Sequence, residues 1–161
     1  MTDEWREDAS ARRVAAFLEL HGLADGIVHF GQSTKTAQLA AEAMGCELGQ
    51  IAKSLVFVAD GTPVLALVAG DRRGDAEAIA RELGAASAKF ADAATGQDAT
   101  GYSVGGVSPF DLPAELTVLV DGSLERFETV FPAAGTPSSM VRVTFGQLVD
   151  ITSGRVCAIS R

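Results

Sequence analysis

Along the chain, segments whose apolar residues recur at helical spacing are interspersed with segments of strand-like spacing. This pattern predicts a mixed α/β fold. Val14, Phe17 and Leu18 share one helical face, so a helix is predicted over residues 9–21, before Gly22. A second helix is predicted to follow a cap at Ser33 or Thr34 and to end near Gly45. Further helices are predicted at residues 76–83, after residue 90, and at 146–152.

Two strongly apolar runs, 51–59 and 63–69, flank Asp60-Gly61 and predict a β-hairpin, with a turn longer than the ideal two-residue loop. Strand-like spacing recurs later, and the predicted strands are residues 26–30, 88–90, 115–121, 127–131 and 140–145. Hairpin-like pairs with few βαβ units predict an α/β fold of the α+β type. We expect one domain over residues 1–161, with a mixed, largely antiparallel central sheet or a partly closed barrel flanked by helices. Residues 1–13 are expected to form a flexible or helical extension.

Composition narrows the class of protein. Apolar residues make up 47% and charged residues 21% of 161 residues, which is typical of a compact soluble protein. No apolar run approaches the roughly 20 residues that span a bilayer. The charged N-terminus has no signal-peptide core, so we expect a cytoplasmic protein without membrane contact. The net charge of −8 argues against a general coat for nucleic acid, although a local positive patch is compatible with it.

The sequence contains no standard metal or nucleotide motif. His21 and His29 lie eight apart without a nearby cysteine, so no metal ion and no cofactor are expected. Cys46 and Cys157 are expected to be free thiols rather than a long-range disulfide. No GxGxxG or GxxxxGK[ST] loop occurs. The run Ser33-Thr34-Lys35 fits a helix cap beside a solvated lysine better than a Ser/Lys dyad.

Two segments carry candidate chemistry. Lys53, one of three lysines, lies in a strand between Ile51 and Leu55, where an ammonium group is costly without a partner or water. The segment TGYSVGGVSPF at 100–110 is rich in glycine and predicts a loop whose backbone can approach a ligand closely. On its own, the lysine fits a strand-end side chain that reaches solvent.

Together, the segments 50–55 and 100–110 resemble the YbaK/EbsC family, which includes the inserted editing domain of bacterial prolyl-tRNA synthetases. Gly70-Asp71-Arg72, the helix ending ELG and VLVD at 118–121 match the family pattern in order. Ser54 stands where the family has threonine. The resemblance implies a trans-acting deacylase that hydrolyses the ester of a mischarged tRNA, of the tRNA(Pro) type, without a cofactor.

The resemblance also implies roles for particular residues. Lys53 would meet the phosphate or the ester of the terminal adenosine, and Gly105 and Gly106 would present backbone N–H groups to the developing oxyanion. No protein nucleophile is required, because the loop backbone and the ribose 2′-hydroxyl position the water. The implied substrate-binding residues are Ser54, Gly101, Tyr102, Val107, Ser108, Pro109, Gly135, His29 and Phe30. His29 and Phe30 fall near the position where the family has a pocket-lining aromatic residue, but they fit a strand that is partly buried on one face at least as well.

The chain departs from its cysteinyl-specific relatives in the stretch 135–141. An arginine and an acidic residue are missing there, and Met140 falls at the acidic position. This weakens the case for Cys-tRNA(Pro) and leaves alanine, serine, threonine or a non-protein amino acid open. The expected partner is the 3′ end of an aminoacyl-tRNA, presented by a synthetase or an elongation factor. A non-catalytic module that binds tRNA ends or nucleotides, and a small-molecule esterase, are the competing interpretations.

Overall fold

The computed structural model describes residues 4–161. Within them, five α-helices alternate with short strands, and each helix follows a residue whose side chain accepts a hydrogen bond from the first turn. Thr36 caps the second helix by accepting from the N–H of Leu39, so the predicted caps Ser33 and Thr34 were wrong. The helices are Ala9–Leu20 (α1), Ala37–Met44 (α2), Ala76–Leu83 (α3), Ala93–Thr100 (α4) and Phe145–Thr152 (α5).

The strands form a curled mixed sheet, which confirms the predicted fold class. They are Ile27–His29 (β1), Ile51–Ala59 (β2), Thr62–Ala69 (β3), Ala88–Phe90 (β4), Thr117–Asp121 (β5), Thr129–Pro132 (β6), Ser139–Val141 (β7), Val143–Thr144 (β8) and Arg155–Cys157 (β9). The main order is β8-β6-β2-β3-β5-β9, with β4 also paired to β2 and with β1-β7 as a separate pair. Antiparallel pairs (β2–β3, β2–β4, β6–β8) and parallel pairs (β2–β6, β3–β5, β5–β9) both occur.

The predicted hairpin of β2 and β3 is confirmed, but its turn is shorter than expected. Ala59 pairs with Thr62, so only Asp60 and Gly61 form the loop, with φ of 48° and 81°. Positive φ at both positions is the geometry that matches the twist of paired strands. Pro63 lies opposite Val58, at a position where β2 and β3 exchange no hydrogen bonds, so its missing N–H does not shorten β3.

Alternate residues of β3 enter two cores on opposite faces of the sheet. Leu65 and Leu67 pack with α1 and with Tyr102 on one face, whereas Ala66 and Val68 pack on the other face with Ile79 of α3. All four β3 residues are fully buried. A strand covered on both faces explains the continuous apolar run in the sequence.

The last third of the chain differs most from the predicted elements. The single strand expected at 140–145 is divided, because β7 pairs with β1 while β8 pairs with β6. Strand β9 was not predicted, because its three residues, Arg155–Cys157, are too few to show the alternation of apolar and polar positions that indicates a strand. Residues 4–7 of the expected extension form a 3₁₀ helix and α1 begins at Ala9, while residues 1–3 lie outside the described residues.

The carboxylate of Asp121 ties the end of β5 to the C-terminal segment. It is almost fully buried and accepts hydrogen bonds from the Ile159 N–H at 2.9 Å, the Ser160 hydroxyl at 2.7 Å, and the N–H and hydroxyl of Ser123. Burial alone raises the pKa of Asp121, but the donated hydrogen bonds outweigh it and the pKa lies below its usual value. The VLVD segment therefore has a structural role.

Two smaller expectations concern cysteines and membranes. Cys46 and Cys157 are both free thiols. Over residues 4–161, none of the helices combines the length and the apolar character that a membrane span requires.

Candidate active site

The candidate site lies at a gap along one edge of β2. Strand β6 pairs with Ile51 and Ala52, and β4 pairs with residues 57–59. Between these two pairings, no strand of the described chain continues the ladder. The carbonyl of Ile51 points towards β3 and accepts a hydrogen bond from the N–H of Gly70. The carbonyl of Val56 points to the opposite edge of β2 and accepts from the N–H of Ala91. By the alternation of a strand, the N–H and C=O of Ser54 point into the gap.

A cavity of about 320 Å³ covers this gap. It is predominantly apolar, and four segments far apart in the sequence surround the edge of β2. The lining residues are 51–56 from β2, 34–37 and Ala40 from the start of α2, 90–93 and Gly96 before and within α4, Tyr102, Val104, Gly105 and Val107 from the glycine-rich loop, and Ala133 and Met140. The fold therefore brings together the two sequence segments that carried the candidate chemistry.

Lys53 is half-buried at the cavity, and its charge meets a carbonyl dipole. Its Nζ donates to the carbonyl oxygen of Arg72 at 2.5 Å. No carboxylate among residues 4–161 lies within ion-pair distance of this ammonium group. Burial lowers the pKa of Lys53, the charge of Asp71 raises it, and the charge of Arg73 lowers it further, with a net decrease. One donor is occupied, and an ammonium group has three.

Ser54, the next residue, brings an unsatisfied hydroxyl to the cavity. Its Oγ is buried and has no hydrogen-bond partner within the described residues. A buried polar group left without a partner costs roughly 1–3 kcal/mol. A substrate atom that bonds to this hydroxyl would remove that cost.

The glycine-rich loop brings backbone amides to the cavity. The N–H groups of Val104, Gly105 and Val107 have no acceptor among the residues described, and all three residues line the cavity. Gly105 has a φ of +84°, which favours glycine. The N–H of Gly106 instead donates to the Ser103 carbonyl at 3.0 Å.

Gly106 lies behind the cavity wall, where it allows the loop to pack closely on a neighbouring segment. A Cβ at this position would lie 2.9 Å from the backbone of Thr136. Close approach of two backbones is a general reason for glycine in a loop.

Tyr102 anchors the loop from beneath. The side chain is fully buried, and its hydroxyl donates to the Phe110 carbonyl at 2.6 Å. Arg13 of α1 lies 4.3 Å from the ring centroid and also bonds Asp111. Burial raises the pKa of Tyr102 far above its usual value, so the phenol is neutral and forms part of the cavity wall.

Four of the predicted binding residues do not line the cavity. Gly101 ends α4 with φ +80°, where a Cβ would lie 2.7 Å from Arg13. The Ser108 hydroxyl accepts from the N–H of Phe110, and Pro109 lines a separate cavity beside α5. Gly135, with φ +99°, packs against α1.

The two predicted aromatic residues also lie outside the cavity lining. The ring of His29 stacks on Trp5, with centroids 4.6 Å apart, and burial lowers the pKa of His29. Phe30 packs against a small core around Ala40 and Met140. Met140 itself reaches the cavity, at the position where the sequence departs from cysteinyl-specific relatives.

Several residues at the cavity rim were not predicted as site residues. Phe90 and Val104 line it with 61% and 69% of their surface exposed, which is unusual for side chains of this size. Lys35, assigned to a helix start, also lines the cavity and packs against Gly105. Asp92 is present too, but its carboxylate caps α4 by accepting from the Thr95 N–H at 2.8 Å. Their common signal is spatial, because they come from separate segments.

The described part of the chain contains no group of three or more His, Cys, Asp or Glu side chains arranged to bind a metal ion. The groups at the cavity that could act on a ligand are the ammonium groups of Lys53 and Lys35, the free hydroxyl of Ser54 and the free backbone amides of the glycine-rich loop.

Comparison with known proteins identifies the family of the chain. Residues 32–151 match the model of the aminoacyl-tRNA editing domain. The chain is 36% identical over 131 residues to YwhH of Bacillus subtilis, covering 81% of this chain and 83% of that protein. It is 31% identical over 140 residues to the "Multifunctional Ser/Thr-tRNA deacylase ProXp-y" of Escherichia coli, covering 84% and 83%. A crystal structure of "a putative trans-editing enzyme for prolyl tRNA synthetase" superimposes with a TM-score of 0.87 at 35% identity, covering 96% and 98%. The chain belongs to the aminoacyl-tRNA editing domain family.

Proposed function

We propose that this protein hydrolyses the ester of mischarged aminoacyl-tRNA in trans, with the aminoacylated terminal adenosine bound over the gap in β2. Membership of the editing-domain family makes the chain a hydrolase that acts on aminoacyl-tRNA. The observation that carries the detailed proposal is the cavity itself, which is lined by both Lys53 and the free amides of the glycine-rich loop. The reaction takes place in the cytoplasm, where charged tRNA is used.

The free amides supply the electrostatic part of the reaction. Attack of water on the ester carbonyl creates a negatively charged oxygen, and the N–H groups of Gly105 and Val107 stabilise it without moving. Gly106 contributes by its missing side chain, which lets the loop pack on Thr136. The attacking water is held by the loop backbone and by the ribose 2′-hydroxyl of the substrate.

Lys53 supplies positive charge next to the ester. Its remaining N–H donors bond the phosphate or the ester end of the terminal adenosine. Lys35 adds a second, exposed cation at the rim, so two of the three lysines in a chain of net charge −8 line one cavity. This is the local positive patch that the acidic composition left open.

The apolar end of the cavity selects the amino acid. The apolar surface there comes from Ala40, Ile51, Ala133 and Met140. Met140 stands at the position where the resemblance places an acidic residue in cysteinyl-specific relatives. A small pocket of this kind favours short side chains, and the free Ser54 hydroxyl can bond a hydroxyl of the substrate. Alanine, serine and threonine are the proposed substrates, attached to tRNA of the prolyl type. The E. coli relative is named a Ser/Thr-tRNA deacylase.

Phe90 provides a surface for the terminal base. Phe90 is 61% exposed at the cavity rim. Its ring makes an edge contact with Phe57, with ring centroids 5.2 Å apart and an interplanar angle of 73°. Unpaired bases of single-stranded RNA stack on aromatic rings of this kind. Val104, which is also exposed, lines the same cavity.

The overall charge indicates how the tRNA body is recognised. A net charge of −8 disfavours strong general contacts with the tRNA phosphates, which bind basic surfaces. We therefore propose that a synthetase or an elongation factor presents the substrate.

A panel of charged tRNAs tests the proposal. Purified protein is mixed with tRNA(Pro) carrying alanine, serine, threonine or cysteine, and with the matching aminoacyl-adenosines. Faster hydrolysis of at least one small amino acid from tRNA supports the proposal. Retention of every ester with tight binding would indicate a binding module instead, and equal rates on the minimal adenosine ester would indicate a general esterase.

A further inference from the structure

The partner of Lys53 lies on a loop that is itself fixed by an ion pair. The loop, residues 70–75, follows β3 and presents the Arg72 carbonyl to the Lys53 ammonium at 2.5 Å. Without such an acceptor, a four-carbon side chain samples many rotamers. The direction of the ammonium group therefore depends on where this loop holds its backbone.

Asp71 and Arg126 hold the loop in place. Two guanidinium nitrogens of Arg126 donate to the two carboxylate oxygens of Asp71, at 2.8 and 3.0 Å. The Arg126 Nε also donates to the Ser123 carbonyl at 2.6 Å. Because the Nε and both Nη atoms of the planar guanidinium are hydrogen-bonded, the group is held in one orientation. A lysine could not reproduce this set of bonds.

The surrounding backbone is built to admit this ion pair. Gly49 is buried, and a Cβ there would lie 3.0 Å from both the Arg126 Nη2 and an oxygen of Asp71. A Cβ on Gly70 would lie 2.3 Å from the Leu48 carbonyl, so the loop also needs glycine at its first residue. Neither glycine has the positive φ that would otherwise explain it.

We propose that Asp71 and Arg126 are positioning residues for the reaction, because their ion pair fixes the Arg72 carbonyl that orients Lys53. The inference rests on the proposed role of Lys53. It assigns a function to the Gly70-Asp71-Arg72 segment, and it adds Arg126, which lies 73 residues after Lys53 in the sequence. The carboxylate of Asp71 also offsets part of the effect of burial, since its charge raises the pKa of Lys53.

The first test measures Lys53 directly, without any substrate. The chain has three lysines, so their 13Cε signals can be assigned by single substitutions and titrated by NMR. In Asp71→Asn, the titration midpoint of Lys53 is expected to move to lower pH, because the Asp71 charge raises the pKa of Lys53. The signals of the other two lysines identify effects that are not specific to Lys53. In Arg126→Gln, which keeps the Asp71 charge, the Lys53 signal is expected to shift and broaden. Wild-type spectra for Lys53 in both variants would overturn the inference.

The second test measures hydrolysis. Both variants are expected to lower kcat about tenfold with little change in KM, as for a catalytic group that is misplaced. The reversed pair Asp71→Arg/Arg126→Asp should recover part of kcat, which separates positioning from general damage to the fold. The control is Arg155→Gln, because it breaks a similarly exposed ion pair with Glu82, at 3.3 Å and away from the cavity.

The outcomes separate this inference from the proposed function. Wild-type kcat in both variants, alongside an inactive Lys53→Ala, would contradict positioning and leave the proposed function intact. Full activity of Lys53→Ala would contradict the proposed role of Lys53, while the NMR titration would still decide whether the ion pair sets its environment.

Discussion

Gly105 packs against Lys35 so closely that a Cβ on the glycine would lie 2.9 Å from the Cβ of the lysine. The contact joins the glycine-rich loop to the segment before α2, and both line the same cavity. The loop amides therefore hold their position only while residue 105 lacks a side chain.

Gly105→Ala is expected to lower kcat by about 10²-fold, the typical effect of losing one oxyanion donor. Two effects combine, since alanine at φ +84° is strained and its Cβ contacts Lys35. The control is Gly61→Ala, because Gly61 has φ +81° but open space around it. The rates of single-turnover hydrolysis by Gly105→Ala and Gly61→Ala are compared. Equal rates in the two variants would show that the position of the loop is unimportant.

Phe90→Ala is expected to raise KM for aminoacyl-tRNA with kcat nearly unchanged, because stacking contributes to binding in both ground and transition states. Base–aromatic stacking provides about 1–3 kcal/mol, so KM should rise by about 5-fold to 150-fold. Phe90→Trp should keep KM near the wild-type value. Leu20→Ala serves as the control, since Leu20 is 86% exposed on α1 and does not line the cavity. An unchanged KM in Phe90→Ala would argue against the stacking surface.

Met140→Ala is expected to move the preference of the enzyme towards larger amino acids, because it enlarges the apolar end of the cavity. The shift is measured by mixing tRNAs charged with alanine, threonine and valine and comparing the ratio of their hydrolysis rates in wild type and Met140→Ala. The truncation should also destabilise the protein, as losing a buried Met side chain costs about 2–5 kcal/mol. Val143→Ala is a control, since Val143 is buried but does not line the cavity. The same ratio of rates in wild type and Met140→Ala would contradict the specificity role.

Asp121→Asn is expected to destabilise the fold at neutral pH by about 1–3 kcal/mol, because an amide cannot accept all the hydrogen bonds of the carboxylate. The pKa of Asp121 lies below its ordinary value of 3.8. The carboxylate therefore contributes stability that is fully present above about pH 4 and is lost as pH falls through the folded pKa. Urea unfolding at several pH values measures the free energy of unfolding of wild type and Asp121→Asn. A difference between these two free energies that stays constant down to pH 2 would contradict the stabilising role of the Asp121 carboxylate.

Local patterns predicted most elements correctly, because the helices carry their own caps and stops. The hairpin of β2 and β3 followed from two apolar runs around Asp60-Gly61. The division of the strand at 140–145 did not follow, since two different neighbours, β1 and β6, pair with its two halves. Only tertiary pairing distinguishes such halves.

The candidate site shows the same limit. The family resemblance pointed to Lys53 and the glycine-rich loop, and the fold places both at one cavity. The gap in β2 was not predictable, because it depends on where β6 stops and β4 begins. Phe90, Lys35 and Arg126 carry no local signal, since each acts through neighbours that are distant in the sequence.

The most direct test of the account is the single-turnover rate of hydrolysis of a mischarged tRNA(Pro) by wild type, Lys53→Ala and Lys89→Ala. Lys89 is an exposed lysine on β4 that does not line the cavity, so its variant controls for loss of charge. We predict that Lys53→Ala loses about 10²-fold or more in rate, with the unfolding transition retained, and that Lys89→Ala matches wild type. A Lys53→Ala variant that hydrolyses every tested ester at the wild-type rate would contradict the central claim.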